Sequence, residues 1–322
     1  MERRNPVVGS LIIVLAACGF ATLGVVSRAT YDLGLTPMGF VTWRSGVAAL
    51  ALVALIAIGL RRGSRLVGWS SLSRRDRVAL GVAALAGSSL DVTMFFAYER
   101  VPVAIVLLCF FLFPAMVAGA SALLGWERLN RNRGLALLMA LAGMVAVVIG
   151  GSGPGAVDSL DPIGVLLAIG SAVSQTVFVL VARRGYRQVP TEQAVGFVLV
   201  VSTLIAVLIA VAGGVLDSVW LPFSSPDLLV LLLLGGLFGA GIPSFLFLAG
   251  VRRIGGVKTG ILMLIQAPIG VALAALFLDE AVGVVQVAGG LAILAAAVVI
   301  LRSAAADQPA ASPVDRSAVS EA

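Results

Sequence analysis

The chain has 322 residues, of which 60% are hydrophobic and 12% are charged, and its mean hydropathy is +1.10. A soluble domain needs a surface that is about a quarter or more charged, so this composition excludes one and makes lipid the solvent for most of the chain. The net charge of +6 does not indicate a nucleic-acid partner, because the arginines lie in short clusters between apolar runs and form no continuous basic face.

Ten apolar stretches, numbered here span 1 to span 10, are long enough to cross a bilayer. Its hydrocarbon core of about 30 Å requires roughly 20 helical residues. Most connections are short, so consecutive spans are expected to run antiparallel with no soluble domain between them. Residues 303–322 have no apolar period and are predicted to be a disordered cytoplasmic tail. In chain order the predicted spans are 7–27, 37–60, 77–98, 102–124, 134–150, 162–182, 192–215, 227–250, 257–278 and 283–301.

Basic residues are distributed unequally between the two sides of these spans. With the amino terminus in the cytoplasm, 19 of the 22 Lys and Arg residues fall on the cytoplasmic side, whereas only Arg28 and Arg100 fall in outer connections. Cations near span ends are retained in the cytoplasm, so both termini are predicted to be cytoplasmic. Lys258 is the only lysine. This preference for arginine suggests a GC-rich coding sequence and a bacterial inner (plasma) membrane.

The two halves of the chain resemble each other at an offset of about 154 residues. An Asn-Pro pair at 5–6 before span 1 corresponds to an Asp-Pro pair at 161–162 before span 6, and Pro114 in span 4 corresponds to Pro268 in span 9. Each half has five spans, an odd number, so the second half must cross the membrane upside down, as in many secondary transporters. The predicted fold is an all-α integral membrane protein with two inverted five-helix repeats, at 1–151 and 161–302.

Two segments carry a resemblance to a known family. AYERVPVAIVLLCFFLFPAMVAGASALLGWERL and LAGVRRIGGVKTGILMLIQAPIGVALAALFLDEAV each place a loop of small residues before a helix with a central proline and a terminal acid, Glu127 or Glu280. This pattern resembles the EamA-like ten-helix branch of the drug/metabolite transporter superfamily, as does the arginine at Arg44. The resemblance covers about residues 8–301. It implies a transporter of a small metabolite with a cavity lined by spans 1 to 4 and 6 to 9, whereas Asp91 departs from the family pattern.

Arg44 and Asp91 are the charged residues predicted to lie well inside spans. A charge in the membrane costs about 2.5 to 3.5 kcal/mol on insertion scales, which makes each a candidate functional residue. Each is seven residues from the outer end of its span, Pro37 or Tyr98, and at about 1.5 Å per residue the two are at similar depth and can pair. Arg44 is interpreted as holding a substrate anion, with Asp91 as a competing partner or proton acceptor. A structural ion pair or an outward-snorkelling Arg44 is at least an equal alternative, and a third is that the two side chains face different directions.

Uncharged features near the bilayer midplane complete the predicted substrate site. Pro114 and Pro268 remove a hydrogen bond in mid-helix, so each is expected to kink its span and to line the cavity, unless it only serves packing. Gln175 and Gln266 are predicted to hydrogen-bond the substrate without a fixed charge. Polar packing between helices remains an equal alternative for both glutamines.

The sequence predicts no catalytic residue, metal or cofactor. It contains no histidine, and Cys18 and Cys109 fall in separate spans, so neither a zinc site nor a disulfide framework can be built. No phosphate-binding motif for ATP occurs, which leaves a proton or substrate gradient as the driving force. Glycines spaced four apart, at Gly256 and Gly260 for example, are expected to pack helices within one chain, with a homodimer interface as the alternative.

The expected function is therefore a secondary active carrier that moves a small-molecule substrate by alternating access, with export of an amino acid or related metabolite as the favoured use. A channel or a non-transporting membrane scaffold is the alternative. An intramembrane enzyme is less favoured, because one buried aspartate without histidine provides no evident catalytic constellation.

Overall fold

The computed structural model describes residues 6–63, 66–101, 103–126, 130–151, 161–279 and 281–306. Within these residues the chain is helical and no strand occurs. In this described part of the chain ten helices are long and apolar enough to cross a membrane, which makes this a multi-pass membrane protein. The ten spans are Pro6–Asp32, Pro37–Arg61, Arg74–Tyr98, Ile105–Leu123, Arg131–Gly151, Pro162–Arg184, Thr191–Ala212, Pro226–Ile254, Gly256–Phe277 and Val284–Arg302, the last continuing as helix to Ala306.

Several spans extend beyond the apolar residues from which they were predicted. Span 1 was expected to end at residue 27 but continues to Asp32, and span 8 continues to Ile254 instead of 250. Hydropathy detects only the part of a helix that suits lipid, whereas the backbone hydrogen bonds continue through the polar residues at the interface. Arg28 consequently lies inside the helix and not, as expected, in the connection that follows it.

Proline and a capping side chain together mark where several spans begin. Thr36 accepts a hydrogen bond from the Gly39 N–H just before span 2, and Asp161 accepts one from the Ile163 N–H just before span 6. In both cases a proline occupies the first helical position, where its missing N–H costs nothing. Ser225 and Pro226 repeat the arrangement at span 8.

The contacts between spans in one pairing are repeated when the two halves of the chain are exchanged. Span 5 packs along span 10, span 2 along span 7, and span 4 against span 9. Span 1 packs against span 8, and the equivalent pair, span 6 against span 3, repeats that contact. Exchanging every span with the one five places away therefore preserves the packing. This confirms the predicted pair of five-helix repeats, which an odd number of spans per repeat places in opposite orientations.

The two ends of the bundle differ in composition and structure. The odd-numbered spans all begin at one end of the bundle, which we call the arginine-rich end. The other end is called the opposite end. At the opposite end spans 7 and 8 are joined by a short helix, Leu216–Trp220, and a 3-10 turn. Its Ser218 hydroxyl accepts a hydrogen bond from the Thr36 N–H at 2.9 Å, and the Val219 carbonyl accepts one from the Trp43 indole at 2.8 Å. This connection is thereby fixed against the start of span 2.

Small residues occupy the places where spans approach each other most closely. Ala16, Ala48, Ala83 and Ala172 are completely buried, whereas many leucines and valines along the spans are exposed. In lipid, apolar surface need not be hidden, so helix association depends on close packing of small side chains and not on burial of large ones. Alanine and glycine therefore occupy the closest helix contacts, while larger side chains such as Leu248 and Ile293 fill the rest of the interior.

Candidate substrate site

Arg44 in span 2 and Asp91 in span 3 form an ion pair. Arg44 Nη2 donates to Asp91 Oδ1 at 2.6 Å, and the two side chains are 13% and 19% exposed. The Arg44 Nε is buried and has no hydrogen-bond partner among the described residues. The structure thus brings together the two charges that the sequence had placed only at a similar depth, and it leaves part of the guanidinium's donor capacity unused.

Aromatic residues of spans 1, 2 and 3 lie near Arg44. The hydroxyls of Tyr31 and Tyr98 lie within electrostatic range of the Arg44 guanidinium. Trp43, the residue before Arg44, packs edge-on against Phe223 with ring centroids 5.3 Å apart. Aromatic walls exclude water and lower the local dielectric constant, which strengthens the attraction between Arg44 and an anion.

Spans 4 and 9 are each broken near the middle. Span 4 consists of Val103–Phe110 and Phe113–Leu123, and span 9 of Gly256–Met263 and Gln266–Phe277. Pro114 and Pro268 follow these breaks within four residues. A proline cannot donate to the carbonyl four residues earlier, so the helix turns through i+3 bonds at the break. These bonds run from Leu112 N to Cys109 O at 3.1 Å and from Ile265 N to Leu262 O at 3.2 Å.

The Pro268 break does not leave the Leu264 carbonyl free. Proline removes the N–H that would have reached this carbonyl, which by itself would leave the acceptor without a partner. The Ala267 N–H instead donates to Leu264 O at 3.1 Å. The break at Pro268 thus offers a change of helix direction rather than an unused carbonyl.

The two segments of span 9 differ sharply in burial. All eight residues of Gly256–Met263 are buried, whereas none of the twelve residues of Gln266–Phe277 is buried. A helix that faced lipid on one side and protein on the other would still bury its inner side. Because Gln266–Phe277 buries none, this segment is less tightly packed than the first segment of span 9. The bundle is therefore closely packed around span 9 toward the arginine-rich end, here called the closed side, and less closely packed toward the opposite end.

Close contacts between the two halves form the closed side. A Cβ on Gly256 would lie 2.8 Å from Val117 Cγ1, and a Cβ on Gly260 would lie 2.9 Å from Pro114 Cβ. Both glycines belong to span 9 and both partners to span 4, so the absence of side chains allows the two broken spans to meet. These glycines pack within one chain, as expected.

Gln175 and Gln266 lie farther from the opposite end of the bundle than the Arg44–Asp91 ion pair does. Gln175 is nine residues from the arginine-rich end of span 6 and Gln266 ten residues from that end of span 9, which places both about 15 Å from that end. Gln175 is 8% exposed and Gln266 is partly exposed. Neither side chain has a hydrogen bond to another residue in the described part of the chain, so both amides have unused donors and acceptors.

An aromatic cluster lies on the arginine-rich side of Gln175. Phe178, three residues later and hence on the same helix face, stacks with Phe247 at 6.2 Å between ring centroids. Phe247 in turn contacts Phe20 edge-on at 6.4 Å. Spans 1, 6 and 8 thus each contribute one ring to an aromatic cluster next to Gln175.

Sequence reasoning missed a second polar cluster, at the arginine-rich end. Arg252 donates to the carbonyls of Tyr186 and Val189 and lies 5.3 Å from the centre of the Tyr186 ring. Burial raises the pKa of the Tyr186 hydroxyl above its ordinary range. The only signal in the sequence was the arginine itself, which was counted as an interfacial cation. All these contacts lie within the second half of the chain, so they brace spans 6 to 8.

Arg100 and Asp161 form a second ion pair at the opposite end. Arg100 Nη1 lies 3.1 Å from Asp161 Oδ2, with side chains 45% and 32% exposed. A hydrogen bond from the Ile163 N–H, and then the Arg100 guanidinium, lower the pKa of the Asp161 carboxyl. This pair is solvated, unlike the one at Arg44, and caps the start of span 6.

Two more acids were singled out in the sequence. Glu127 and Glu280, the terminal acids of the two repeated segments, lie outside the described residues. Within the ranges that the structure describes, no three His, Cys, Asp or Glu side chains come together as metal ligands.

The comparisons with known proteins agree with this architecture. The sequence model of the EamA-like transporter family matches residues 7–149 and 162–302, which together make up most of the chain. The chain belongs to the EamA-like transporter family. The two matched regions are the two repeats, and the match confirms the resemblance to the drug/metabolite transporter superfamily.

A solved crystal structure gives independent support for the fold of this EamA-like protein. It is 24% identical, aligns with a TM-score of 0.73, and covers 94% of this chain and 99% of its own. It is one of 29 solved chains that match. At that identity the likeness shows the fold alone. No curated protein matches the sequence.

Proposed function

We propose that this EamA-like protein is a secondary active carrier that exports an amino acid or a related small metabolite by alternating access. The burial contrast within span 9 supports the proposal most directly, because the bundle is closely packed around span 9 at one end and less closely packed at the other. Alternating access requires a second arrangement in which the closed and open ends are exchanged. The twofold packing of the repeats provides it, since either half can adopt the arrangement of the other.

The breaks in spans 4 and 9 are the proposed points of motion. Each separates a segment packed at the arginine-rich end from a segment reaching the opposite end, so the two segments can change their relative angle without breaking a continuous helix. In the alternate state the contact of Gly260 with Pro114 opens, and the segments Val103–Phe110 and Gln266–Phe277 approach each other.

The ion pair provides a way to recognise a carboxylate. Arg44 has donors that Asp91 does not use, and a guanidinium binds a carboxylate through two parallel hydrogen bonds. A substrate carboxylate that occupies Arg44 displaces Asp91, which then accepts a proton or the substrate's ammonium group. Proton coupling follows in the proposal from this competition. Gln175 and Gln266 hydrogen-bond the substrate at the deeper level.

The arginine-rich end is assigned to the cytoplasm of a bacterial plasma membrane. Arginines at span ends are retained on that side. Arg187→Cys at the arginine-rich end and Asp217→Cys at the opposite end test the assignment, with the two native cysteines replaced by alanine. An impermeant maleimide added to intact cells should label the cysteine at 217 and not the one at 187. The reverse pattern would overturn the orientation.

Transport is tested in proteoliposomes loaded with a panel of labelled amino acids and related metabolites, with and without a proton gradient. Arg44→Ala and Asp91→Asn should each abolish saturable flux of the accepted substrate. Arg100→Ala and Asp161→Asn are the matched controls, because they remove the solvated ion pair at the same end. These two variants should retain transport.

Three outcomes would refute parts of the proposal. Flux that does not saturate and shows no counterflow indicates a channel. No flux for any substrate under any gradient favours a scaffold. Unchanged transport in both Arg44→Ala and Asp91→Asn removes the ion pair from the substrate site while leaving the carrier mechanism in place.

A further inference from the structure

A cavity lined by arginines lies at the arginine-rich end of the bundle, away from the proposed substrate site. It has a volume of about 480 Å³ and is formed by the start of span 3, the end of span 6 and the residues that follow spans 4 and 6. Its charged and aromatic lining residues are Arg75, Asp76, Trp126, Arg183, Arg184 and Arg187.

Positive charge dominates this cavity. Among the described residues that line it, Asp76 is the one carboxylate, against four arginines. Asp76 is already used in capping span 3, where it accepts from the Ser73 hydroxyl at 2.8 Å. Arg75, Arg184 and Arg187 form no ion pair within the described ranges of the chain. A solvated cluster of like charges repels itself, so the cavity favours an anion that bridges several guanidinium groups.

Trp126 fixes one side of the cavity. The Arg184 guanidinium lies over the Trp126 ring, 4.5 Å from its centre. Stacking on an indole holds a guanidinium in one plane while its N–H groups remain available at the edge. A tryptophan at a span end is also typical of the headgroup level of a bilayer. The cavity therefore lies where lipid headgroups lie.

An apolar groove continues from this cavity along the bundle surface. It has a volume of about 620 Å³, shares Arg75 with the cavity, and follows spans 3 and 6 into the membrane region. Val78 and Val82 in span 3 line it and are 59% and 37% exposed. Val181 in span 6 forms its other wall. A soluble anion would occupy only the cavity, whereas a molecule with a phosphate and a hydrocarbon chain would occupy both.

We propose that the arginine-lined cavity and the valine-lined groove together form a binding site for an anionic phospholipid. The phosphate of the headgroup lies among Arg75, Arg184 and Arg187, and one acyl chain lies along Val78 and Val82. Basic pockets next to membrane spans attract anionic lipids in this way, through charge at the headgroup and apolar contact below it. The proposal is independent of the transported substrate and of the direction of transport.

Native mass spectrometry of the full-length protein in detergent tests the site, with phosphatidylglycerol and phosphatidylcholine of identical acyl chains as probes. Phosphatidylglycerol should be retained in preference to phosphatidylcholine. Arg184→Gln with Arg187→Gln should reduce phosphatidylglycerol affinity by about fivefold for each arginine removed. Arg61→Gln with Arg62→Gln is the matched control. It removes the same charge at the same end of the bundle, but neither residue lines the cavity or the groove. That control should leave the affinity unchanged.

A second pair of measurements separates a lipid from a free phosphate. Val82→Asp places a charge in the groove and should weaken phosphatidylglycerol retention with the arginines intact. Soluble glycerol phosphate should fail to displace the lipid at millimolar concentration. Lipid-free thermal midpoints of all variants serve to confirm folding.

Equal retention of the two lipids would overturn the proposal, as would an equal loss in the Arg61 and Arg62 control. Displacement by micromolar glycerol phosphate would also overturn it, since the site would then bind a soluble anion.

Discussion

Gly260 of the second repeat packs directly against Pro114 of the first, and a Cβ at Gly260 would lie 2.9 Å from Pro114 Cβ and 3.1 Å from Pro114 Cα. The contact joins the two broken spans at the arginine-rich end. It occurs beside the break in span 4 and requires a residue without a side chain in span 9. Together with the contact of Gly256 with Val117, it sets how closely the two halves approach on the closed side.

Gly260→Ala is expected to destabilise the closed arrangement, because the added methyl group meets the backbone of Pro114 and the helices must separate. Overpacking of this kind costs about 1 to 3 kcal/mol. The thermal midpoint of the purified protein should fall, and cysteines introduced at the arginine-rich side of span 4 should become more accessible to maleimide. Gly119→Ala in span 4 is the control, since no atom lies within 4 Å of its added Cβ. Equal midpoints for the two variants would contradict the role of this contact.

The ion pair between Arg44 and Asp91 is expected to show strong coupling in a double-mutant cycle. Removing Arg44 alone leaves the Asp91 carboxylate largely buried without a counter-charge, and breaking a buried pair in this way costs about 3 kcal/mol. Arg44→Ala should therefore lower the thermal midpoint more than Arg44→Ala combined with Asp91→Asn. The measurement is differential scanning fluorimetry of the three variants and the wild type. Additive effects of the two single changes would show that the residues do not interact.

Tyr186→Phe is expected to leave stability unchanged or increased at neutral pH. The Tyr186 hydroxyl is buried and has no hydrogen-bond partner in the part of the chain described, so its removal loses no contact. Burial raises the pKa of Tyr186 above its ordinary value of about 10. The folded state therefore favours the protonated hydroxyl. Its contribution to the free energy of unfolding is fully present below about pH 10 and is lost as the pH rises from there toward the raised pKa.

Thermal midpoints of the wild type and Tyr186→Phe between pH 8 and pH 11.5 test this expectation. The wild type should lose stability relative to the variant above about pH 10, since ordinary tyrosines titrate there. Tyr186→Leu serves as a second comparison, because it also removes the ring beneath Arg252 and should be destabilising at every pH. Parallel curves for wild type and Tyr186→Phe would show that the hydroxyl does not titrate in this window.

Gly143→Ala is expected to separate spans 5 and 10. A Cβ at Gly143 would lie 2.6 Å from the Gly289 carbonyl oxygen, which is backbone and cannot move aside cheaply. We expect a loss of about 1 to 3 kcal/mol, seen as a lower thermal midpoint. Gly134→Ala in the same span has open space at its Cβ and should be neutral. Spans 5 and 10 lie outside the proposed site, so the folded fraction of the Gly143→Ala variant should keep the substrate affinity of the wild type. A changed affinity would instead place these spans in the site.

Much of the fold follows from the sequence because lipid imposes severe rules on a chain. A membrane span must be long, apolar and helical, so the ten spans could be located within a few residues. The errors were at the ends, as at Asp32 and Ile254, where polar residues continue the helix in the interfacial region. The inverted repeat was also recognisable, because Pro114 and Pro268 occupy equivalent positions.

The candidate site was only partly predictable. Position along a helix gives depth, so Arg44 and Asp91 could be placed at the same level. Depth says nothing about the direction in which a side chain points around the helix axis. Contact between the two side chains depends on how spans 2 and 3 are rotated, and that rotation is set by their packing against spans 6, 7 and 8.

The sequence by itself determined that this protein spans the membrane ten times, in two repeats of opposite orientation, because hydropathy and an odd number of spans leave no other arrangement. Only the tertiary structure decided which end is closed and that Arg44 meets Asp91. It also decided that arginines from spans 3 and 6 line one cavity with Trp126. These relationships join residues far apart in the chain, and they depend on how closely glycine and alanine allow the helices to approach.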